Sequence, residues 1–136
     1  MTAEAARVRG LSLRWPLVAG AMFALLAVMA GAFGAHGLRG MVNERALEVF
    51  QTAVTYQMYH ALALVFVAVL AGFGLSRRLL GLAAGFYLAG ILLFSGSLYL
   101  LVLTGIHWLG PVTPLGGVCF MIGWGLLVTA GLRREG

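Results

Sequence analysis

The sequence predicts an all-α integral membrane protein, a bundle of four transmembrane helices, and three observations support this prediction. The chain has 136 residues, of which 62% are hydrophobic and only 10% are charged. Its mean hydropathy of +1.00 lies outside the range of soluble globular domains. Four uncharged runs each reach the roughly 20 residues that an α-helix needs to cross a bilayer.

These runs predict helices at about residues 16–36, 44–76, 79–106 and 113–132 of a single domain over residues 1–136. The first run follows several arginines and contains Ala30-Gly31-Ala32, so it resembles a secretory signal peptide. Its apolar core is longer than the roughly 7 to 15 residues typical of such peptides. We therefore expect this run to be the first transmembrane helix.

The distribution of charge predicts the orientation of the helices. All nine basic residues are arginines, and seven of them fall on the side that holds both termini and the Arg77-Arg78 loop. Because positive charge accumulates on the cytoplasmic side, both termini should be cytoplasmic. We expect a multi-pass protein of the bacterial inner (plasma) membrane. The arginines form no stripe along one element, so nucleic acid is not an expected partner.

Small residues recur at spacings that suit close helix packing in lipid, where backbones gain by approaching closely. The predicted packing positions are Gly31, Gly81, Gly85, Gly116, Gly117 and Gly123. So many small seams on so short a chain favour contacts with another subunit as well. Besides the lipid bilayer, the expected partner is a second copy of the chain or another membrane protein.

The first half of the second run is amphipathic. Its apolar arc holds Leu47, Phe50, Val54, Met58, Ala61 and Val65. Its other positions hold Glu44, Glu48, Thr52, Thr55, Tyr56, Tyr59 and His60. This pattern predicts an amphipathic extension at the outer start of the second helix, lying along the interface or leaning on the bundle.

Polar residues from all four helices fall at a similar depth, about 24 to 30 Å from the inner ends at 1.5 Å per residue. They are His36, Tyr56, Gln57, His60, Ser95, Ser97, Tyr99 and Thr113. Because lipid offers polar groups no partners, we expect a hydrogen-bonded network or a polar pocket in the outer leaflet.

A structural interpretation exists for each of these residues. His36 precedes Gly37 and can simply end the first helix, while His60 follows Tyr56 by one turn and can form a hydrogen bond with it. Trp124, in the middle of the fourth run, is interpreted as a packing residue. No catalytic residues are predicted.

Three functional hypotheses follow. The first is a membrane component without catalysis, which serves as a structural or accessory subunit or as a homo-oligomer. The alternative is binding or transport of a lipid, quinone or ion through the outer-leaflet pocket. A weaker alternative is haem or metal binding by His36 and His60. No carboxylate or thiolate completes such a set of ligands, so no cofactor is predicted.

Five ordered motifs carry a family resemblance: GAFGAHG (31–37), YQMYHALAL (56–64), LFSGSLYLL (93–101), VTPLGG (112–117) and GW (123–124). Together they resemble the family of bacterial YgdD and eukaryotic transmembrane protein 256, known as domain of unknown function 423. The resemblance implies a small four-helix membrane protein, in bacteria one of the inner membrane, and implies no activity. The motif positions that it carries are His36, Tyr56, Gln57, His60, Ser95, Ser97, Tyr99, Pro114, Gly116, Gly117 and Trp124.

Overall fold

A computed structural model of the chain describes residues 2–3 and 13–133, and residues 13–133 form an all-helical structure. Helix α1 (Arg14–Phe33) continues into a π-helical turn, Gly34–Leu38. Helix α2 (Glu44–Leu70) ends in a 3-10 turn, Ala71–Phe73. Helix α3 (Arg77–Gly90) is joined to α4 (Gly96–Thr104) by a π-helical turn, Ile91–Ser95. A 3-10 turn, His107–Leu109, precedes α5 (Val112–Leu132).

Four of the resulting helical segments are long and apolar enough to cross a membrane, as the sequence predicts. We call them the first span (Arg14–Leu38), the second span (Glu44–Phe73), the third span (Arg77–Thr104) and the fourth span (His107–Leu132). Their bounds lie close to the predicted ones because uncharged runs of this length leave few alternatives. The described loops at 39–43 and 105–106 lie at one end of the spans, which we call the Glu44 end. The loop at 74–76 lies at the other, the Arg77 end.

Local chemistry fixes where two of the spans begin. The side chain of Asn43 accepts a hydrogen bond of 2.7 Å from the backbone N–H of Ala46, which caps the second span. The side chain of Ser76 caps the third span in the same way, accepting from Leu79 N–H at 3.3 Å. Gly74 lies just before that cap with a φ of 80°, a conformation that favours glycine.

The spans pack mainly in chain order: the first against the second, the second against the third, and the third against the fourth. Within the described residues, no extensive backbone contact joins the first span to the fourth or the second span to the fourth. The largest buried cluster lies where the second, third and fourth spans meet, around Leu64, Leu80, Tyr87 and Phe120. This order leaves room for grooves between spans that are not neighbours.

The buried face of the second span differs from the arc expected from its amphipathic pattern. The residues that α2 buries are Phe50, Ala53, Gln57, His60, Ala61, Ala63, Leu64 and Val67. Gln57 and His60 are thus turned inward, although the sequence pattern placed His60 away from the apolar arc. In lipid, the polar groups of a helix turn towards protein, where they find hydrogen-bond partners.

Candidate functional site

Gln57 joins three of the spans by hydrogen bonds. Its side-chain amide Nε2 donates to the backbone oxygen of Phe23 in the first span at 2.8 Å. Its Oε1 accepts from the hydroxyl of Tyr99 in the third span at 2.6 Å. Gln57 is buried, with 4% of its surface exposed, so these bonds are shielded from solvent and lipid alike. The residue thereby stabilises the packing of the first three spans.

The hydroxyl groups of the third span are also used internally. Ser95, the last residue of the π-helical turn, is fully buried and donates to the backbone oxygen of Ala53 at 2.7 Å. Ser97 donates to the backbone oxygen of Phe94 at 2.9 Å. Because a hydroxyl has one proton to donate, the 2.6 Å contact between Ser97 and Thr113 then has Thr113 as donor. These bonds tie the third span to the second and the fourth.

His60 is held by partners from two spans. The indole Nε1 of Trp124 lies 3.0 Å from His60 Nε2, and the backbone oxygen of Tyr56 lies 2.8 Å from His60 Nδ1. Since an indole N–H can only donate, Nε2 accepts and the proton of the neutral ring sits on Nδ1, from which it is donated to Tyr56. Both ring nitrogens are therefore engaged, and a metal at Nε2 would have to displace Trp124.

The His60 ring also packs against aromatic side chains. It stacks on Phe120 with ring centroids 3.5 Å apart and an interplanar angle of 8°. Tyr87 lies at a centroid distance of 5.7 Å from His60 and 4.9 Å from Trp124. The Tyr87 side chain is fully buried, and its hydroxyl is without a hydrogen-bond partner among the described residues.

The hydrogen bond between His60 and Trp124 places this cluster near the middle of the spans. Along the helices, His60 is 13 residues from Phe73, or about 20 Å. Trp124 is 8 residues from Leu132, or about 12 Å. Its partner Trp124 therefore lies nearer its own end of the bundle than His60 does, and the bond between them puts the cluster in the central part of the spans.

A groove opens beside the His60 cluster, between the second and fourth spans. Its volume is about 740 Å³, and its walls are mainly aromatic and aliphatic. The lining residues are Tyr56, Tyr59, His60, Leu62, Ala63, Phe66, Phe94, Gly117, Phe120, Met121 and Trp124. We call this space the His60 groove. Several of its residues are well exposed, among them Tyr59 (59%) and Met121 (66%), so the groove opens laterally, towards the surrounding lipid.

A smaller groove of about 320 Å³ lies between the first and third spans, with Gln57 at its base. We call it the Gln57 groove. Its walls include Phe23, Leu26 and Leu92. The amide of Gln57 is already bonded to Phe23 and Tyr99, so this groove offers a bound molecule few polar contacts.

The structure does not bring all of the predicted polar residues together. His36 is exposed in the π-helical turn of the first span and makes no hydrogen bond to any described residue. The ring of Tyr56 lies near His60 and Phe120, but its hydroxyl makes no hydrogen bond within the described part of the chain. No group of three or more metal-ligating side chains occurs in that part either. The expected single layer is instead a set of separate hydrogen-bonded clusters.

The glycines predicted to mediate packing differ in how much space surrounds them. A Cβ atom at Gly116 would collide with the backbone of Phe94, and one at Gly123 would lie 2.7 Å from the Tyr87 ring. A Cβ at Gly31 would meet Val54 at an ordinary 3.5 Å. At Gly81, Gly85 and Gly117 no atom of the described chain lies within 4 Å of such a Cβ. Within the described part of the chain, these last three positions are not used for packing.

Sequence reasoning missed two members of the His60 cluster and the hydrogen-bonding role of a third. Trp124 was interpreted as a packing residue, yet its N–H is the donor to His60. Phe120 and Tyr87 were not singled out at all. The spacing of 64 residues between His60 and Trp124 gives no local signal, although a tryptophan in the middle of a span needs an acceptor for its N–H.

Together, the fold and these clusters define a small polytopic membrane protein with internally bonded polar groups and two lateral grooves. The family model described as "Protein of unknown function (DUF423)" matches residues 30–117. The chain belongs to this family, which confirms the resemblance carried by the five motifs.

Relatives of the chain are UPF0382 membrane proteins of bacteria. SAB0533 of Staphylococcus aureus is 48% identical over 120 residues, which cover 88% of this chain and 97% of the relative. YwdK of Bacillus subtilis is 50% identical over 117 residues, covering 86% and 95%. SERP0230 of Staphylococcus epidermidis is 43% identical over 120 residues, covering 88% and 97%. No solved structure matches the chain.

Proposed function

We propose that this protein is a membrane component without catalytic activity, which serves as a structural or accessory subunit or as a homo-oligomer. The observation that carries the proposal is the internal use of its polar side chains. Gln57, His60, Ser95, Ser97 and Tyr99 each form a side-chain hydrogen bond with a residue of another span. Polar side chains whose hydrogen-bonding atoms already have partners within the protein hold the helices together and are poorly placed to act on a substrate.

Replacement of His60 tests this proposal. The His60→Ala variant loses the stack on Phe120 and leaves the Trp124 N–H without its acceptor, so it should lower thermal stability and the recovery of any assembled form. Thr55→Ala, at an exposed position of the same helix, is the matched control. Thermal unfolding in detergent and size-exclusion chromatography provide the two measurements. A His60→Ala protein with full stability and full assembly would argue against a structural role.

We also propose that the protein lies in the bacterial inner membrane with both termini in the cytoplasm. The charge distribution supports this orientation, since Arg77 and Arg78 lie at the end opposite Glu44 and Glu48. In a Cys119→Ala background, Arg78→Cys and Trp108→Cys place single thiols at exposed positions of the two ends. A membrane-impermeant maleimide on intact cells should label only the protein with the thiol at 108. Labelling of only the protein with the thiol at 78 would reverse the orientation.

The second candidate function is the binding of a small apolar molecule, and the His60 groove favours it. A volume of about 740 Å³ falls within the range of small-molecule sites, roughly 300 to 1,000 Å³. Gly117 lines this groove with open space beside it, so Gly117→Leu should fill it without disturbing the fold. Gly125→Leu, also open and outside the groove, is the matched control. A bound molecule retained equally by both variants would overturn this candidate.

Haem or metal binding by His36 and His60 is the weakest of the three hypotheses. His60 Nε2 accepts from Trp124, and His36 lies exposed at the end of the first span. A purified protein with a haem absorption band, or with stoichiometric metal that is lost in His60→Ala, would favour it over the other two.

A further inference from the structure

The strongest unexplained feature of the His60 groove is the depth of a free tyrosine hydroxyl. Tyr59 lines the groove and is 59% exposed. No described residue forms a hydrogen bond with its hydroxyl. Tyr59 lies 11 residues beyond Glu48, or about 16 Å along the helix. Because Glu48 is charged and exposed, this is roughly half the 30 Å hydrocarbon thickness measured from the Glu44 end.

Helix geometry does not bring this hydroxyl to the interface. Side chains of a helix lean back towards its start by roughly one turn, which shortens the distance from Glu48 by about 5 Å. The Tyr59 hydroxyl then still lies within the hydrocarbon region. A polar group without a partner is strongly disfavoured there, so the groove favours an occupant that supplies an acceptor at this depth.

An ordinary phospholipid does not supply that acceptor. Its ester oxygens lie near the headgroups, and only acyl chain lies within the hydrocarbon region. The walls of the groove, which include the exposed ring of Tyr56 and the rings of Phe94 and Phe120, suit a flat ring better than a flexible chain. Tyr56 adds a second hydroxyl that is unbonded within the described residues, three positions before Tyr59 on the same helix.

We propose that the His60 groove binds a membrane-soluble ring compound with carbonyl oxygens, of the quinone class, and that the Tyr59 and Tyr56 hydroxyls donate to those oxygens. This inference rests on the second candidate function and names the class of its ligand. The His60 ring takes no direct part, because both of its nitrogens are occupied by Tyr56 and Trp124. Its stack on Phe120 and its bond to Trp124 hold the wall of the groove in place.

The fluorescence of Trp124, which lines the groove, reports occupancy, since quinones quench indole emission on close approach. The parent protein is Trp15→Phe/Trp108→Phe in lipid nanodiscs, titrated with ubiquinone-2. A second protein, Trp15→Phe/Trp124→Phe, keeps only the exposed Trp108 and measures quenching by quinone dissolved in the lipid. We expect saturable quenching of Trp124 and only proportional, non-saturating quenching of Trp108.

Variants in the parent background distinguish quinone binding through the tyrosine hydroxyls from the binding of any small apolar molecule in the His60 groove. Gly117→Leu should abolish the saturable quenching, whereas Gly125→Leu should retain it. Tyr59→Phe should weaken binding by roughly threefold to tenfold, the loss of one hydrogen bond. If Gly117→Leu abolishes binding but Tyr59→Phe and Tyr56→Phe leave the affinity unchanged, the groove binds an apolar ligand and the recognition of ring oxygens is overturned.

Two further outcomes overturn both proposals for the groove. The first is identical, non-saturating quenching of Trp124 in the parent and in Gly117→Leu. The second is a change in oligomeric mass in Gly117→Leu, with no change in quenching, which would assign the groove to contact with a second copy of the chain. Native mass spectrometry of the same nanodisc samples detects this second outcome.

Discussion

The two grooves differ in how they treat the polar side chain that each contains, although Gln57 and His60 lie only three residues apart on one helix. At the Gln57 groove, the amide bonds to Phe23 and Tyr99, and three spans close around it, leaving about 320 Å³. At the His60 groove, the imidazole is held within the wall by Trp124, and about 740 Å³ stays open. The hydrogen-bonded Gln57 thus lies at the base of the smaller groove, and the hydrogen-bonded His60 lies in the wall of the larger one.

The two grooves lie between different pairs of spans. The Gln57 groove lies on the second span where the first and third spans both pack against it. The His60 groove lies between the second and fourth spans, which are joined by side chains such as His60, Phe120 and Trp124 rather than by extensive backbone contact. A polar residue in a membrane helix can therefore serve packing or support an open surface, depending on the helices beside it.

The largest expected effect compares two neighbouring glycines of the fourth span, one packed against the third span and the other facing the His60 groove. Gly116→Ala drives a methyl group into the Phe94 backbone and should destabilise the protein by about 2 to 3 kcal/mol. Gly117→Ala enters the open His60 groove and should leave stability unchanged. Unfolding in mixed micelles with increasing denaturing detergent measures both. Equal stability of the two variants would contradict the close packing of the third and fourth spans.

The hydrogen bonds of Gln57 provide the next comparison. Gln57→Leu leaves the hydroxyl of the half-buried Tyr99 without its acceptor and should cost about 1 to 3 kcal/mol. Tyr99→Phe removes the partner, so the double variant should be less destabilised than the sum of the two single ones. The same unfolding assay gives the coupling energy. Strict additivity would show that Gln57 and Tyr99 do not interact.

At the His60 groove, Trp124→Phe removes the N–H donor but keeps an aromatic ring. Its expected cost is about 1 kcal/mol, in line with interhelical hydrogen bonds in membranes. His60→Ala should be the more destabilising variant, because it also loses the stack on Phe120 at 3.5 Å. A Trp124→Phe protein that is less stable than His60→Ala would reverse this order and assign the main role to the indole.

The smallest expected effect concerns Tyr87, whose hydroxyl is fully buried with no described partner. Tyr87→Phe removes a polar group that gains nothing in the folded protein, so stability should stay within about 0.5 kcal/mol or rise. Tyr99→Phe, which removes a bonded hydroxyl, is the matched control. A loss of more than about 1 kcal/mol in Tyr87→Phe would show that its hydroxyl has a partner.

The helices were predictable from the sequence because the bilayer sets the length of apolar runs. The predicted first and third helices, at 16–36 and 79–106, each lie within two residues of the observed spans at both ends. The inward turn of Gln57 and His60 could also be foreseen from the need of polar groups for partners in lipid. The helical wheel of the second run instead predicts that His60 faces away from the bundle, since the wheel assumes that polar residues face water.

The details of the site could not be predicted, since they depend on contacts between distant residues. The π-helical turn at Ile91–Ser95 has no clear sequence signal, yet it lies where Ser95 reaches Ala53. The pairing of His60 with Trp124 spans 64 residues. The His60 groove lies between the second and fourth spans, which make no extensive backbone contact within the described residues, and no local pattern in the sequence indicates this.

Native mass spectrometry of the protein, extracted gently from its own membranes, tests the central claim most directly. If the protein acts by assembly or by binding, its spectrum should show species heavier than the bare 14.4 kDa chain. These species would carry further copies, a partner protein or a small bound molecule, and Gly117→Leu should lose the small molecule. A spectrum of only the bare chain, for both proteins, would contradict the account.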